Sequence, residues 1–332
     1  MGVKIKIAVV VRAYRRYSYL PQAVESALRQ TRRPDAVVVV ADDVDKLRGY
    51  PVYALETKTD KLGEAVAAGI KAAEGDVVAF LEDDDLFHPE KLQTVERIFT
   101  RRRPAALHHM QHYIDEGGNP ADQHPAARSY AAGQPPAEVE VGRENIFTLV
   151  ERYPLLHHNL SSWAAHRDLL QEVIHVLSRL EIMLDFSLLA LAAAYGTALH
   201  IPNKLTYYRV GGGASHMQGV GDLPKVVCTR NKDAIDAETL LHAVKDKNVR
   251  KAVLRNYVDH AKYVYIYNAL YKCDKAYKVS TAKLLARLIV AKATKAHPVS
   301  WRTIAGIAIA PIVGRRRLAE RSLRKMYGAA PS

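Results

Sequence analysis

Two groups of carboxylates stand out because each follows directly on a run of apolar residues. Asp42 and Asp43 follow Ala36 to Ala41, and Glu82, Asp83, Asp84 and Asp85 follow Val77 to Leu81. Carboxylates this close repel one another, so a cation should sit among them. Hard oxygen ligands select Mg2+ or Mn2+, and such an ion could hold a diphosphate that carboxylates alone would repel. A charge run is more often a solvated loop. What distinguishes these two is their attachment to segments that read as buried strands.

The elements that must position them read as an alternation. Lys4 to Val11, Ala36 to Ala41, Tyr50 to Leu55 and Asp76 to Leu81 are strand-like, and the apolar ones lack a helical period. Leu20, Ala23, Val24, Ala27 and Leu28 recur at helical spacing, as do Val66, Ile70 and Ala73 before Gly75. Strands alternating with helices imply a doubly wound parallel sheet, in which ligands bind beyond the carboxyl ends of the strands. Further on, a strand is expected over Ala105 to Ile114, and a long loop over Gly117 to Gly142. Helices are expected over Asn145 to Arg152, Arg167 to Leu177 and Asp185 to Ala194, and short strands over Ala198 to Ile201 and Leu205 to Val210. Most of the remainder reads as helical.

As a set these residues resemble family 2 glycosyltransferases. The resemblance rests on Val9-Val10-Val11-Arg12-Ala13-Tyr14, Tyr19-Leu20, Ala23 to Ser26, Gln30-Thr31 and Val37 to Asp43. It continues through Gly69 to Asp76, Phe80 to Pro89, Ile201-Pro202 and Tyr208 to Val210. It implies a GT-A-type, doubly wound, mainly parallel sheet over residues 1–220, followed by a basic helical region over 221–332. It also implies an inverting transfer from a UDP- or GDP-linked sugar, with Mn2+ or Mg2+ at a DXD-type motif. Asp43 would then hold the nucleobase, with Arg12 and Tyr14 lining its pocket. Lys61 would touch the nucleotide, Asp83 would approach the ribose and Asp84 would ligate the metal. Asp185 would be the general base, with Glu181 in reserve, and His216 would complete the metal shell. The chain departs from the family pattern at Arg12-Ala13, Arg15, Val66-Ala67, Glu82 and Leu184.

The 332 residues carry a net charge of +13, unevenly spread. Residues 221–332 hold 23 Lys and Arg against 8 Asp and Glu, whereas the first 220 hold 25 against 27. The tail should therefore meet something anionic. Trp301 to Val313 is mostly apolar and precedes Arg315-Arg316-Arg317, a pattern that suits a helix in an anionic membrane interface. Packing of these helices as a bundle is the alternative. A glycan or lipid-linked acceptor would accompany the membrane reading. No run approaches the ~18 apolar residues of a membrane span, and Cys228 and Cys273 lie far apart with no metal or redox motif. The expected setting is reducing and cytoplasmic, with peripheral contact at the membrane face.

Three rival readings are weaker. Nothing matches a nucleic-acid-binding module, so no nucleic acid partner is expected. A sugar-phosphate nucleotidyltransferase would carry a glycine-rich loop after the first strand, whereas Arg12 to Arg16 contains no glycine. His108, His109 and His112 invite a zinc site, but no clear ligand set completes it.

Overall fold

The first four strands pair side by side as the apolar runs require. In chain order they are β1 (Ile7–Arg12), α1 (Leu20–Leu28), β2 (Ala36–Ala41), β3 (Tyr53–Glu56), α2 (Leu62–Ala72) and β4 (Val77–Glu82). The computed structural model describes residues 5–15, 17–211 and 220–327. It divides into two compact units, Met1–Gly212 and Gly213–Ser332.

The first unit continues with β5 (Leu86–Phe87), α3 (Lys91–Arg102), β6 (Ala106–Ile114), α4 (Pro125–Ala132) and β7 (Val139–Val141). It ends with α5 (Ile146–Arg152), β8 (Trp163–His166), α6 (Arg167–Leu177), α7 (Leu184–Tyr195) and β9 (Ala198–Arg209). The sheet order is β3-β2-β1-β4-β8-β6-β9-β5, with β7 pairing on β9. From β3 to β4 every pairing is parallel, and Arg12 lies opposite both Val40 and Glu82. Beyond β4 the sheet is mixed, because β8 enters antiparallel to both β4 and β6.

Three local expectations change. The stretch from Gly117 to Gly142 is not one loop but holds α4 and β7; its Ala and Pro content masked a two-turn helix opened by Pro125. The two short strands expected around Pro202 are one strand. Pro202 and Asn203 are exposed, and β6 pairs past them by a register shift between His109 and Met110. That bulge spares the missing proline N–H a ladder position. β8 carries no readable signal, since Trp-Ala-Ala-His is too short to show alternation.

Helix α2 lies unusually close to the sheet. A Cβ on Gly69 would stand 2.6 Å from a methyl of Val10 and 2.9 Å from one of Val40. One on Gly63 would meet the carbonyl oxygens of Leu177 and Leu180 at 2.1 and 2.6 Å. Only glycine permits both approaches. The first free N–H groups of α2 donate to backbone, Leu62 to the Glu181 carbonyl at 2.9 Å and Gly63 to that of Leu180 at 3.2 Å, so no side-chain cap is needed.

The second unit is helical: α8 (Leu223–Ala243), α9 (Lys247–Tyr267), α10 (Thr281–Ala293), α11 (Trp301–Val313) and α12 (Arg315–Tyr327). Asp246, Ser280 and Ser300 each cap the helix that follows, accepting from N–H groups in its first turn. Cys228 and Cys273 form a disulfide, which corrects the expectation of two unconnected thiols. The sequence hides the pairing because α8 and α9 fold back on each other, bringing positions 45 apart in sequence together. The cysteines therefore no longer argue for a reducing compartment. Among the described residues no helix is long and apolar enough to cross a membrane.

Candidate active site

Because β1, β2 and β4 run parallel, the loops that follow them emerge at one edge of the sheet. The β1 and β2 loops are tied together there by Asp42. Its Oδ1 accepts from the Tyr17 hydroxyl at 2.5 Å and from the Arg15 N–H at 3.0 Å, while Asp43 N–H donates to the Tyr17 oxygen at 2.9 Å. Burial and the Asp42 carboxylate both raise the Tyr17 phenol, keeping it a donor. Arg15 takes a left-handed φ of 55° to make its contact, a conformation that costs a non-glycine residue. The guanidinium carbons of Arg12 and Arg15 each lie 4.9 Å from the Tyr14 ring centre. Asp43 opens a short 3-10 helix, Val44–Leu47, and accepts from Asp45 N–H at 3.2 Å.

After β4 the chain turns sharply through the acidic run. Asp83 and Asp85 are buried, and Glu82 and Asp84 are half-buried. Burial, then Asp84, Asp85, Asp83 and Asp185, push the Glu82 carboxyl well above its ordinary range. Burial and the neighbouring Asp84 push Asp85 up to about 7. Asp85 Oδ1 accepts from the Arg209 N–H at 3.1 Å, while its Oδ2 has no hydrogen-bond partner among the described residues.

Arg209, at the end of β9, braces this turn. Its Nε donates to the Asp84 carbonyl at 2.9 Å, its Nη1 to those of Asp115 and Glu116 at 2.8 and 2.9 Å, and its Nη2 to Gln22 Oε1 at 3.3 Å. The guanidinium lies 4.0 Å from the Tyr19 ring centre. Beneath the turn, the buried Lys91 ammonium donates to the Ser161 carbonyl and to Thr206 Oγ1. It sits 3.7 Å from the Phe87 ring centre. Burial lowers Lys91 well below the ordinary lysine range, opposed by the attraction of Asp85.

Asp185 stands in the first turn of α7, half-buried, its Oδ1 accepting from the Phe186 N–H at 2.7 Å. Its charge acts on both Glu82 and His157. The His157 ring packs edge-on against Phe186, with centroids 5.2 Å apart. Burial lowers its affinity for a proton, opposed by Asp185. The carboxylates fit a hard divalent cation in charge and in ligand type, and such a charge would relieve the burial and mutual repulsion that raise Glu82 and Asp85. Among the described residues no three His, Cys, Asp or Glu side chains are grouped so as to hold a metal ion by themselves. Mg2+ in phosphate-handling sites likewise uses one or two carboxylates plus phosphate oxygens.

The family model described as Glycosyl transferase family 2 matches residues 8–173, from β1 into α6. The chain belongs to glycosyl transferase family 2. Among curated relatives, an uncharacterized glycosyltransferase of Nostoc sp. is 28% identical over 225 residues, covering 64% of this chain and 67% of that protein. An uncharacterized glycosyltransferase of Haemophilus influenzae is 31% identical over 100 residues, covering 28% and 34%. The chain thus spans two thirds of the first relative's length and about one third of the other's. Among solved structures, S. aureus TarS 1–349 superimposes with a TM-score of 0.58 at 17% identity, over 97% of this chain and 92% of that one. The same fragment in complex with UDP-GlcNAc gives 0.57 at 18% identity, with the same coverage. The expected GT-A-type fold followed by a helical region is therefore the fold of this glycosyltransferase.

The remaining expected residues fall as follows. Arg12 ends β1, Tyr14, Asp43, Asp83 and Asp84 lie on the loops just described, and Asp185 lies in the first turn of α7. Lys61, at the start of α2, places its ammonium 3.5 Å from the buried Glu181 carboxylate, so these two candidates hold each other. His216 lies outside the described residues. His108, His109 and His112 do not converge. His108 Nδ1 meets His200 Nδ1 at 2.8 Å, His109 Nδ1 meets the Met110 carbonyl at 2.8 Å, and His112 stacks on Tyr207. Sequence reasoning read Asp42 only as the other half of an acidic pair, and Arg209 only as part of the closing strand. It gave no role to Tyr17 or Lys91, whose contacts join separate segments.

Proposed function

We infer that this family member transfers a sugar, with inversion, from a nucleoside-diphosphate sugar to an acceptor hydroxyl or phosphate on a glycan or lipid-linked acceptor. The observation that supports the reading is the acidic Glu82–Asp85 turn at the open edge of the parallel sheet, in a chain of this family. A fold neighbour crystallised with UDP and with UDP-GlcNAc makes a uridine nucleotide the first donor to test.

Arg12, Tyr14 and Asp43 would hold the nucleobase, Asp83 the ribose, and Lys61 would lie alongside the nucleotide. Asp84 would ligate Mn2+ or Mg2+, with the Asp85 carboxyl behind it and His216 as a further ligand. When bound, the ion would supply positive charge to the departing diphosphate. Asp185 would take the proton of the acceptor hydroxyl. The acceptor oxygen then bonds to the anomeric carbon as the opposite carbon–oxygen bond breaks, and the nucleoside diphosphate leaves with that electron pair. The proposed setting is cytoplasmic, and the second unit's partner would be an anionic membrane surface.

Calorimetric titration of UDP and GDP with Mn2+, with EDTA, and with Asp84→Ala tests the donor site. Binding that requires both the metal and Asp84 is the expected result. Nucleotide binding indifferent to EDTA and to Asp84→Ala would remove the metal from the reading, and no binding at all would remove the donor site.

A further inference from the structure

Of the eight large hydrophobic side chains exposed among the described residues, six lie on α10 and α11. Helix α11 accounts for four of them: Trp301, Ile309, Ile312 and Val313. The helix has two apolar faces. Ile304, Ile307 and Ala310 are buried and serve the packing of the second unit. Trp301, Ala305, Ala308, Ile309 and Ile312 are exposed, at spacings of four, three, one and three residues, which makes a continuous outward stripe. Packing within the bundle already uses the other face, so this stripe is surplus to it. Its exposure is large, 64% at Trp301 and 86% at Ile312.

The surroundings of the stripe say what covers it. From Lys275 to Ala319 the sequence holds ten Lys and Arg and no Asp or Glu; Lys283 and Arg287 pair with Glu238 and Arg316 with Glu320, which leaves the cluster strongly positive. Arg302 at the start of α11, and Arg315, Arg316 and Arg317 just past its end, are all exposed. Lys292 lies 5.2 Å from the Trp301 ring centre. A second copy of the chain would set these arginine clusters against each other. A surface that is anionic and apolar at once would satisfy both features. The 13 residues of α11 reach about 20 Å, short of the ~30 Å hydrocarbon core, so the helix would lie in the interface rather than cross it.

We propose that the exposed face of α11 is an anionic-membrane docking surface, with Trp301, Ile309 and Ile312 entering the headgroup boundary and Arg315 to Arg317 meeting lipid phosphates. The proposal deepens the membrane part of the functional reading but needs no donor, metal or acceptor.

The test is co-sedimentation of the full chain with phosphatidylcholine vesicles, and with vesicles containing about one-third phosphatidylglycerol. The wild type is expected to bind the anionic vesicles at least about tenfold more tightly, with the difference shrinking as salt rises. Ile309→Ser with Ile312→Ser leaves the charge unchanged and is expected to weaken binding about tenfold or more. Arg315→Glu with Arg316→Glu is expected to abolish the preference for anionic lipid. All four residues are exposed, and an unchanged circular dichroism melt will confirm that each variant folds. Failure of the wild type to bind, equal binding to both vesicle types, or serine variants that bind like wild type would overturn the proposal. So would a lipid-free dimer in analytical ultracentrifugation that the serine variant dissolves. UDP titration of the same preparations separates this outcome from a failure of the transferase reading.

Discussion

Replacing Arg209 with alanine removes a brace that reaches from the end of the closing strand into the acidic turn. The guanidinium supplies donors to the carbonyls of Asp84, Asp115 and Glu116 and to the Gln22 amide oxygen. It also covers the Tyr19 ring. Arg209 is only 3% exposed, so water cannot readily replace those donors. Hydrogen bonds from a charged donor contribute about 1.5–3 kcal/mol each, and an orphaned buried acceptor costs about 1–3 kcal/mol. The contacts share one side chain and are not additive, so a loss of about 3–5 kcal/mol is the reasonable expectation. For a unit of roughly 200 residues that corresponds to a melting point lower by about 10 °C. The turn that carries Asp84 would also lose its anchor and a nearby positive charge, so metal-dependent nucleotide binding should weaken beyond the loss of folded protein. Arg209→Lys keeps the charge but cannot reach carbonyls on two separate segments with one point donor. It should therefore lose nearly as much stability while keeping more of the nucleotide affinity. Differential scanning calorimetry and isothermal titration with UDP and Mn2+ read the two effects. An alanine variant that melts within about 2 °C of wild type and titrates unchanged would refute the argument that this arginine organises the site.

Asp185→Asn should leave UDP affinity within about twofold and lower turnover by at least about a hundredfold, as for loss of a general base; equal losses in binding and turnover would assign it to the donor pocket instead. The pH dependence of stability in EDTA should carry the mark of Asp85. Its folded pKa of about 7 exceeds the ordinary 3.8, so the folded state holds this proton more tightly than the unfolded chain. Stability from this group is full below pH 4 and is lost as pH rises towards 7, by up to about 4 kcal/mol. Asp85→Asn should flatten that slope in thermal melts between pH 5 and 7.5, and an unchanged slope would place its cause elsewhere. Cys228→Ser should lower the melting transition of the second unit, because the Cys228–Cys273 bridge closes a 45-residue separation. A loop of that length contributes about 4 kcal/mol in the chain-entropy model, and a melt identical to wild type under oxidising conditions would show that the helices alone hold the unit.

The parts of the fold that were legible in the sequence are those set by local pattern. Val9 to Val11, Val37 to Val40 and Val77 to Leu81 are apolar without a helical period, and a strand buried on both faces leaves that signature. Their parallel order then puts Asp42, Asp43 and Glu82 to Asp85 at one edge without further information. β8 was not legible, because four residues cannot display a period. β9 read as two strands, because Pro202 looks like a break until its partner strand skips it. The disulfide was invisible for a related reason, since what brings Cys228 to Cys273 is the reversal of α8 into α9 and not any spacing between them.

The site divides along the same line. Asp84 and Asp185 were assigned by motif and resemblance. What a linear motif cannot contain is the reason those side chains stay where they are. The acidic turn is unfavourable in isolation, as the raised Glu82 and Asp85 carboxyls record. It is held by Arg209 from the closing strand, by the buried Lys91 beneath it, and by Ser161, which accepts from the Glu82 N–H at 2.9 Å. Ser161 and Arg209 lie 79 and 125 residues from the groups they hold, and only Lys91 is close in sequence. A cluster of carboxylates that folding alone disfavours, yet that segments as far away as Ser161 and Arg209 hold in register, is what the proposed cation site requires. For that reason the Asp84 metal titration and the Arg209 melt bear on the same question from opposite sides. The first asks what the turn receives, and the second asks what keeps it ready.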